Sequence, residues 1–200
     1  AYSWRVGKDG RVGQVDMYLN DIIDQPNNSN YFLGHYLFEK TQGNRYELID
    51  GQQRLTTTVI FMGSLVKELR KRGIERFEYN NMQYATEQIY ERYLQPRYGS
   101  QKFETVPDDA SFFNRLIIEC SDDYKIETGR RSERRIREAA MFFEEKMAVP
   151  TEDKTLFKWF SVIDNAIITT FLLSGESAKL TATQIFAFQN DRGLGLTTLE

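Results

Sequence analysis

The sequence is poor in the residues that build metal and redox centres. Its 200 residues include one cysteine, Cys120, and one histidine, His35. A lone cysteine excludes an internal disulfide framework and fits a reducing compartment, so a cytoplasmic location is expected. A lone histidine excludes any metal site or nuclease centre within the chain that needs two imidazoles. There is no apolar run long enough for a transmembrane helix, no visible signal peptide and no low-complexity tract, so no membrane partner is expected. The glycine-rich loop with its lysine that marks P-loop enzymes is missing too. Nor is positive charge in excess. Lys+Arg total 26 against 29 Asp+Glu, a net −3, which argues against a surface coated for non-specific DNA binding but leaves room for a local basic cleft. The chain starts without Met and stops at Leu199-Glu200, straight after a turn-like segment, as an excised piece of a larger protein would.

Aromatic residues are plentiful, with 14 Phe and 11 Tyr. They supply a substantial core for one sizeable domain or two small ones. The most informative stretch is Arg45 to Leu69. Tyr46, Leu48 and Ile49 read as a short strand that Asp50-Gly51 breaks. From Leu55 the apolar residues Leu55, Val59, Met62, Val66 and Leu69 fall at helical spacing. Gln52, Gln53 and Arg54 lie at the joint. The first amides of a helix lack intrahelical partners and favour an anion, and Arg54 adds a planar donor fork. A phosphate site is one reading of this joint. A helix cap in which Asp50 and Arg54 pair with each other or with neighbours is the other.

Upstream, Val15, Tyr18, Leu19, Ile22 and Ile23 mark an amphipathic helix that ends before Pro26. Tyr31–Phe38 has strand length and contains Gly34. The short Thr41–Asn44 link makes it a hairpin, with a bulge, onto the next strand. Residues 74–82 are ambiguous. Tyr84–Leu94 reads as a helix, Arg97–Thr105 as a stretch holding a short strand, and Ser111–Glu119 as a helix opened by Pro107-Asp108-Asp109. Arg130–Arg137 is the densest basic run, either a helix surface with Glu pairing or a phosphate-backbone contact. Ile136, Ala139, Ala140, Phe143 and Met147 give that helix its buried face. Leu156–Ile163 continues as a helix, while Ile167–Leu173 fits helix or strand. Near the end, Asn190, Asp191, Arg192 and Gly193 form a second polar cluster, either a binding loop or a helix C-cap at Gly193. The fold class expected is α+β. A small α/β unit spans residues 1–75, and a mainly helical region, truncated at its C-terminus, spans 76–200.

Asp50-Gly51-Gln52-Gln53-Arg54-Leu55-Thr56-Thr57 resembles the signature of the ParB/sulfiredoxin-like family found as the N-terminal, nucleotide-using part of GmrSD-type restriction systems. Supporting matches are Tyr2-x-Trp4, Asp21-Ile22, Phe32-Leu33-Gly34, and Phe186-x-x-x-Asn190-x-x-Gly193 followed by Leu196-Thr197. His35 departs from the small residue the pattern has there. The resemblance implies a ParB/sulfiredoxin-like first unit in which Gly51, Gln52, Gln53 and Arg54 surround nucleotide phosphates, with Thr56 and Thr57 close by. Asn190, Arg192 and Gly193 would join them if the two loops meet. Asp50 would bind Mg²⁺ or position water, with Asp191 as a further metal ligand. The expected ligands are GTP or ATP with Mg²⁺. The expected partners are DNA, through the full-length protein, and a nuclease domain located C-terminally or on another subunit; a homo-oligomer is also compatible.

Three functional readings stand side by side. The first is an NTP-binding and NTP-hydrolysing module of a DNA restriction, phage-defence protein, with Asp50, Gln52, Gln53 and Arg54 as catalytic residues. The second is a DNA-binding or assembly module without chemistry. The third is a ParB-like metal-dependent nuclease.

Overall fold

The computed structural model describes residues 1–174 except 28, 29, 44, 100, 123 and 126. The fold is α+β, with an α/β region leading into a mainly helical stretch. The chain forms two compact units. One comprises Ala1–Tyr31 with Gln53–Ala166; the other comprises Phe32–Gln52 with the chain from Ile167 onward. No helix among the described residues is long and apolar enough to cross a membrane.

The second unit holds a mixed three-stranded sheet. Strand β1 (Phe32–Lys40) pairs antiparallel with β2 (Tyr46–Asp50), and a register shift between Leu37 and Phe38 is the expected bulge. On its other edge β1 pairs in parallel with the last described strand, Ile167–Leu173. The ambiguous Ile167–Leu173 run is therefore a strand, in keeping with its β-branched and aromatic content. The sheet thus draws strands from both sides of the sequence division expected near residue 75.

In the first unit, α1 (Gln14–Asp24) and α2 (Gln52–Lys71) come first. Helix α2 begins three residues before its apolar periodicity does, so the polar triplet Gln52–Arg54 forms its first turn rather than a loop. Thirteen of its twenty residues are buried, so it is surrounded rather than laid on a surface. The hairpin β3 (Arg76–Tyr79) and β4 (Met82–Ala85) occupies the stretch the sequence left ambiguous. Its signal is Asn80-Asn81, both with positive φ (52° and 61°), as a two-residue type I′ turn requires. Helix α3 (Thr86–Tyr93) starts two residues later than periodicity suggests, because Tyr84 belongs to β4. No strand forms among the described residues of 97–105, where Phe103 packs against Phe113 and Gln101 and Lys102 donate to Asn114 Oδ1 and Arg92 O. Helix α4 (Pro107–Phe113) starts on its proline and passes into a π-helical turn, Asn114–Ile118. Helices α5 (Arg131–Ala148) and α6 (Asp153–Asp164) complete the unit, and β5 (Ile167–Leu173) follows in the sheet already described.

Aromatic packing joins these helices. Tyr18, Phe61 and Phe143, from α1, α2 and α5, meet edge-on at centroid distances of 5.4–6.2 Å. Phe77 of β3 stacks on Phe157 of α6 at 4.1 Å. The end of α2 is held by charge. Buried Glu68 accepts from Arg72 Nε at 2.7 Å, and the rest of that guanidinium donates to Met147 O and Asp153. Removing one partner of a buried pair leaves the other unsatisfied. Glu68→Ala is expected to lower unfolding free energy by about 1.5–3 kcal/mol, the value of a hydrogen bond to a charged group, read as a lower urea midpoint at unchanged slope. An unchanged midpoint would mean that Arg72 is held without Glu68.

Candidate functional site

The signature joins β2 to α2, and the seam between the two units falls inside it, after Gln52. On the sheet side, Asp50 closes β2, half-buried and opposite Leu37. Gly51 has φ +91°, and a Cβ there would sit 2.7 Å from the Tyr36 ring and 3.2 Å from His35 O. Only glycine satisfies both demands. Gln52 is exposed and donates from Nε2 to Leu48 O at 2.6 Å, which ties the helix start back to β2. His35 projects among the Phe32 and Phe171 rings of the same sheet.

On the helical side, Gln53 does something the sequence did not suggest. Its Oε1 accepts from the backbone N–H of Ser3 at 2.6 Å and of Trp4 at 3.3 Å, and its Nε2 donates to Ala1 O at 3.1 Å. Both ends of the amide are engaged in clamping the N-terminal segment. Thr57 is fully buried, its hydroxyl shared between Gln53 O and the Tyr2 phenol, each at 2.8 Å. One residue on, Thr58 repeats the arrangement with Arg54 O and Tyr18 OH, both at 2.9 Å. Burial pushes the Tyr2 phenol well above its usual range, so it remains a neutral hydrogen-bonding group. Thr56 is also largely buried.

Arg54 lies half-buried in the first turn of α2. Its charge reaches Tyr31: burial raises that phenol, Asp21 raises it further, and Arg54 opposes them. No acidic side chain lies in the first turn of α2, and the nearest in sequence is Asp50, just before the helix.

Within the helical unit the structure brings together Gln53, Arg54, Thr56 and Thr57 on one turn of α2. Asp50, Gly51 and Gln52 belong to the sheet unit. Asn190, Asp191, Arg192 and Gly193 lie outside the described residues, as does the meeting of the two loops. No group of three or more His, Cys, Asp or Glu side chains able to hold a metal occurs among the described residues. Cys120 is no nucleophile at neutral pH, since burial pushes its thiol up to about 11. The residues that sequence reasoning passed over are Tyr2, Tyr18 and Tyr31. For Tyr2 and Tyr18 the signal was the run of threonines on a buried helix, whose hydroxyls need partners.

The model of the N-terminal domain of GmrSD restriction endonuclease matches residues 1–200 of the chain. No curated protein and no solved structure matches it.

The Gln53 clamp makes a local prediction. In Gln53→Ala the Ser3 and Trp4 amides lose their acceptor, and hydrogen exchange at both is expected to accelerate by about 10-fold or more while the α2 interior keeps its protection. Unchanged exchange at Ser3 and Trp4 would remove the clamp from the account.

Proposed function

We propose, on the premise that the chain belongs to the family of the GmrSD restriction endonuclease N-terminal domain, that it is the nucleotide-binding and NTP-hydrolysing module of a DNA restriction protein. The phosphates of GTP or ATP are held at the start of α2. The observation that carries this reading is the first turn of that helix: it has no acidic side chain, and the half-buried Arg54 guanidinium belongs to it. Helix amides together with an arginine fork suit a phosphate group.

In this reading the residues of the signature take different roles. Gln53, engaged at both ends of its amide, serves as a positioning residue that holds the N-terminal segment against α2. Thr57 likewise contributes its hydroxyl to Tyr2 and takes no part in ligand binding. Arg54 is the residue that stabilises phosphate charge. Gln52, exposed and bonded among the described residues to Leu48 O, is the side chain of the signature able to turn toward a water. Gly51 lets the chain turn from β2 into α2 against the Tyr36 ring, where a side chain would not fit. Asp50 is the carboxylate available to Mg²⁺. A single carboxylate fits an ion that is carried in mainly by nucleotide phosphates, and does not fit a free-standing metal site. When bound, Mg²⁺ would supply charge neutralisation on those phosphates. The nuclease belongs outside this chain, which has one histidine.

Arg54→Ala is expected to weaken nucleotide binding or turnover by about 10- to 100-fold, the value of a charge-assisted hydrogen bond of roughly 1.5–3 kcal/mol. Binding by calorimetry and hydrolysis by phosphate release would be measured on a variant whose circular dichroism matches the wild type. Equal nucleotide handling by the two proteins rejects the assignment.

A further inference from the structure

A second phosphate-seeking feature lies elsewhere in the helical unit. Arg131, Arg134 and Arg135 stand at i, i+3 and i+4, on one face of the first turns of α5. The loop before α1 is brought to the same face: Lys8 Nζ of that loop meets Glu138 Oε1 at 2.8 Å. Arg5 and Arg11, from the same loop, are exposed. Among the described residues, none of the guanidinium groups of Arg5, Arg11, Arg131, Arg134 and Arg135 has a hydrogen bond or an ion pair. The flanking arginines differ. Arg130 is engaged with Asp108, and Arg137 with Tyr124 O and Thr128.

This arrangement works against the stability of the fold. Cations at a helix N-terminus oppose its dipole, and like charges repel. Arg135 registers the conflict: burial, then the charges of Arg131 and Arg5, hold its guanidinium below the usual arginine range. A run of such local conflicts on one surface, in a chain with more acids than bases, marks a surface that an anion completes.

We infer that the face made by Arg5, Arg11, Arg131, Arg134 and Arg135 is a docking surface for the phosphodiester backbone of a DNA duplex. An extended polyanion fits better than a single phosphate. Arg131 and Arg135 are about 6 Å apart along the helix axis, and the loop arginines lengthen the array. Two of the three glycine amides of the loop are turned away from a ligand, since Gly7 N and Gly13 N donate to Asp16 Oδ2 at 2.5 and 3.2 Å. The surface reads no sequence. It supplies salt-dependent affinity and leaves discrimination to other parts of the protein. Its argument does not depend on the nucleotide site proposed above, although Arg135 acts on Tyr2, whose phenol bonds Thr57 of α2.

The test is binding of a fluorescent duplex of about 20 base pairs to the full chain across a salt series. With three to five phosphates contacted, affinity is expected to fall roughly 40- to 500-fold between about 50 and 200 mM salt. The triple variant Arg131→Gln, Arg134→Gln, Arg135→Gln should bind more weakly and flatten the log–log salt slope by about 2.7. Lys146→Gln, at the far end of α5, should leave the slope unchanged. Because the three arginines are unpaired, the triple variant should melt no lower than wild type, and Arg5→Gln alone should flatten the slope by about 0.9. The inference is overturned if the wild-type chain does not bind duplex at low salt, or if the triple variant keeps the wild-type slope. It is also overturned if that variant loses nucleotide turnover while duplex binding persists, which would assign the cluster to nucleotide phosphates.

Discussion

Helix α2 is enclosed on all sides, and every polar group it carries inward must be satisfied from within the protein. An unsatisfied buried hydroxyl costs about 1–3 kcal/mol. Thr57 and Thr58 face that demand side by side, and two phenols from different elements meet it, Tyr2 from the N-terminal segment and Tyr18 from α1. The Tyr18 ring then packs on Phe61 and Phe143, so the hydrogen bond and the aromatic contact between α1, α2 and α5 are set by one side chain. Gln53 fastens the backbone of residues 1–4 to the same helix end. The start of α2 is rigid because distant parts of the chain complete it.

That constraint divides the labour within the signature. A glutamine and a threonine that look like ligand groups in sequence are consumed in holding the helix start, Gln53 through its amide and Thr57 through its hydroxyl. Gly51 is dictated by its positive φ and by the Tyr36 ring. Gln52 is exposed and bonds Leu48 O, and Asp50 and Arg54 are half-buried. The proposed phosphate site would draw on that buttressing, since donors fixed in advance need not reorganise when charge develops.

Local patterns of the chain carried much of this architecture. Helices α1, α5 and α6 announced themselves by apolar spacing, and all five residues assigned to the buried face of α5 are buried. The β1–β2 hairpin was readable from its short link and its apolar strand. What failed had non-local causes. The parallel pairing of β1 with β5 joins segments more than a hundred residues apart, and nothing in either strand names its partner. The β3–β4 hairpin was missed although Asn80-Asn81 is a type I′ signal, because its strands are only four residues long. Most of all, a list of polar residues cannot say which are already bonded. Gln53 is engaged with backbone from the opposite end of its unit's first segment, and only the folded chain reveals it.

The same separation of engaged and unengaged groups explains how a chain of net charge −3 can present a surface to a polyanion. Many of its carboxylates are committed. Glu68 and Asp153 hold Arg72, Glu144 holds Lys67, Glu87 holds Arg70, and Asp164 holds Arg92. Net charge counts those pairs as equal contributors, although at a distance each is close to neutral. The long-range field is set by charges without counterparts, weighted by how near they lie to one another. On the face where α5 begins, five arginines meet that description, and the carboxylates nearby are engaged: Glu138 with Lys8, Glu133 with the Arg130 amide and Asp108 with the Arg130 guanidinium. Composition therefore excludes a protein basic all over, yet it carries no information about a basic face, which arises when the fold places Arg5 and Arg11 beside a helix that already has three cations at its positive end.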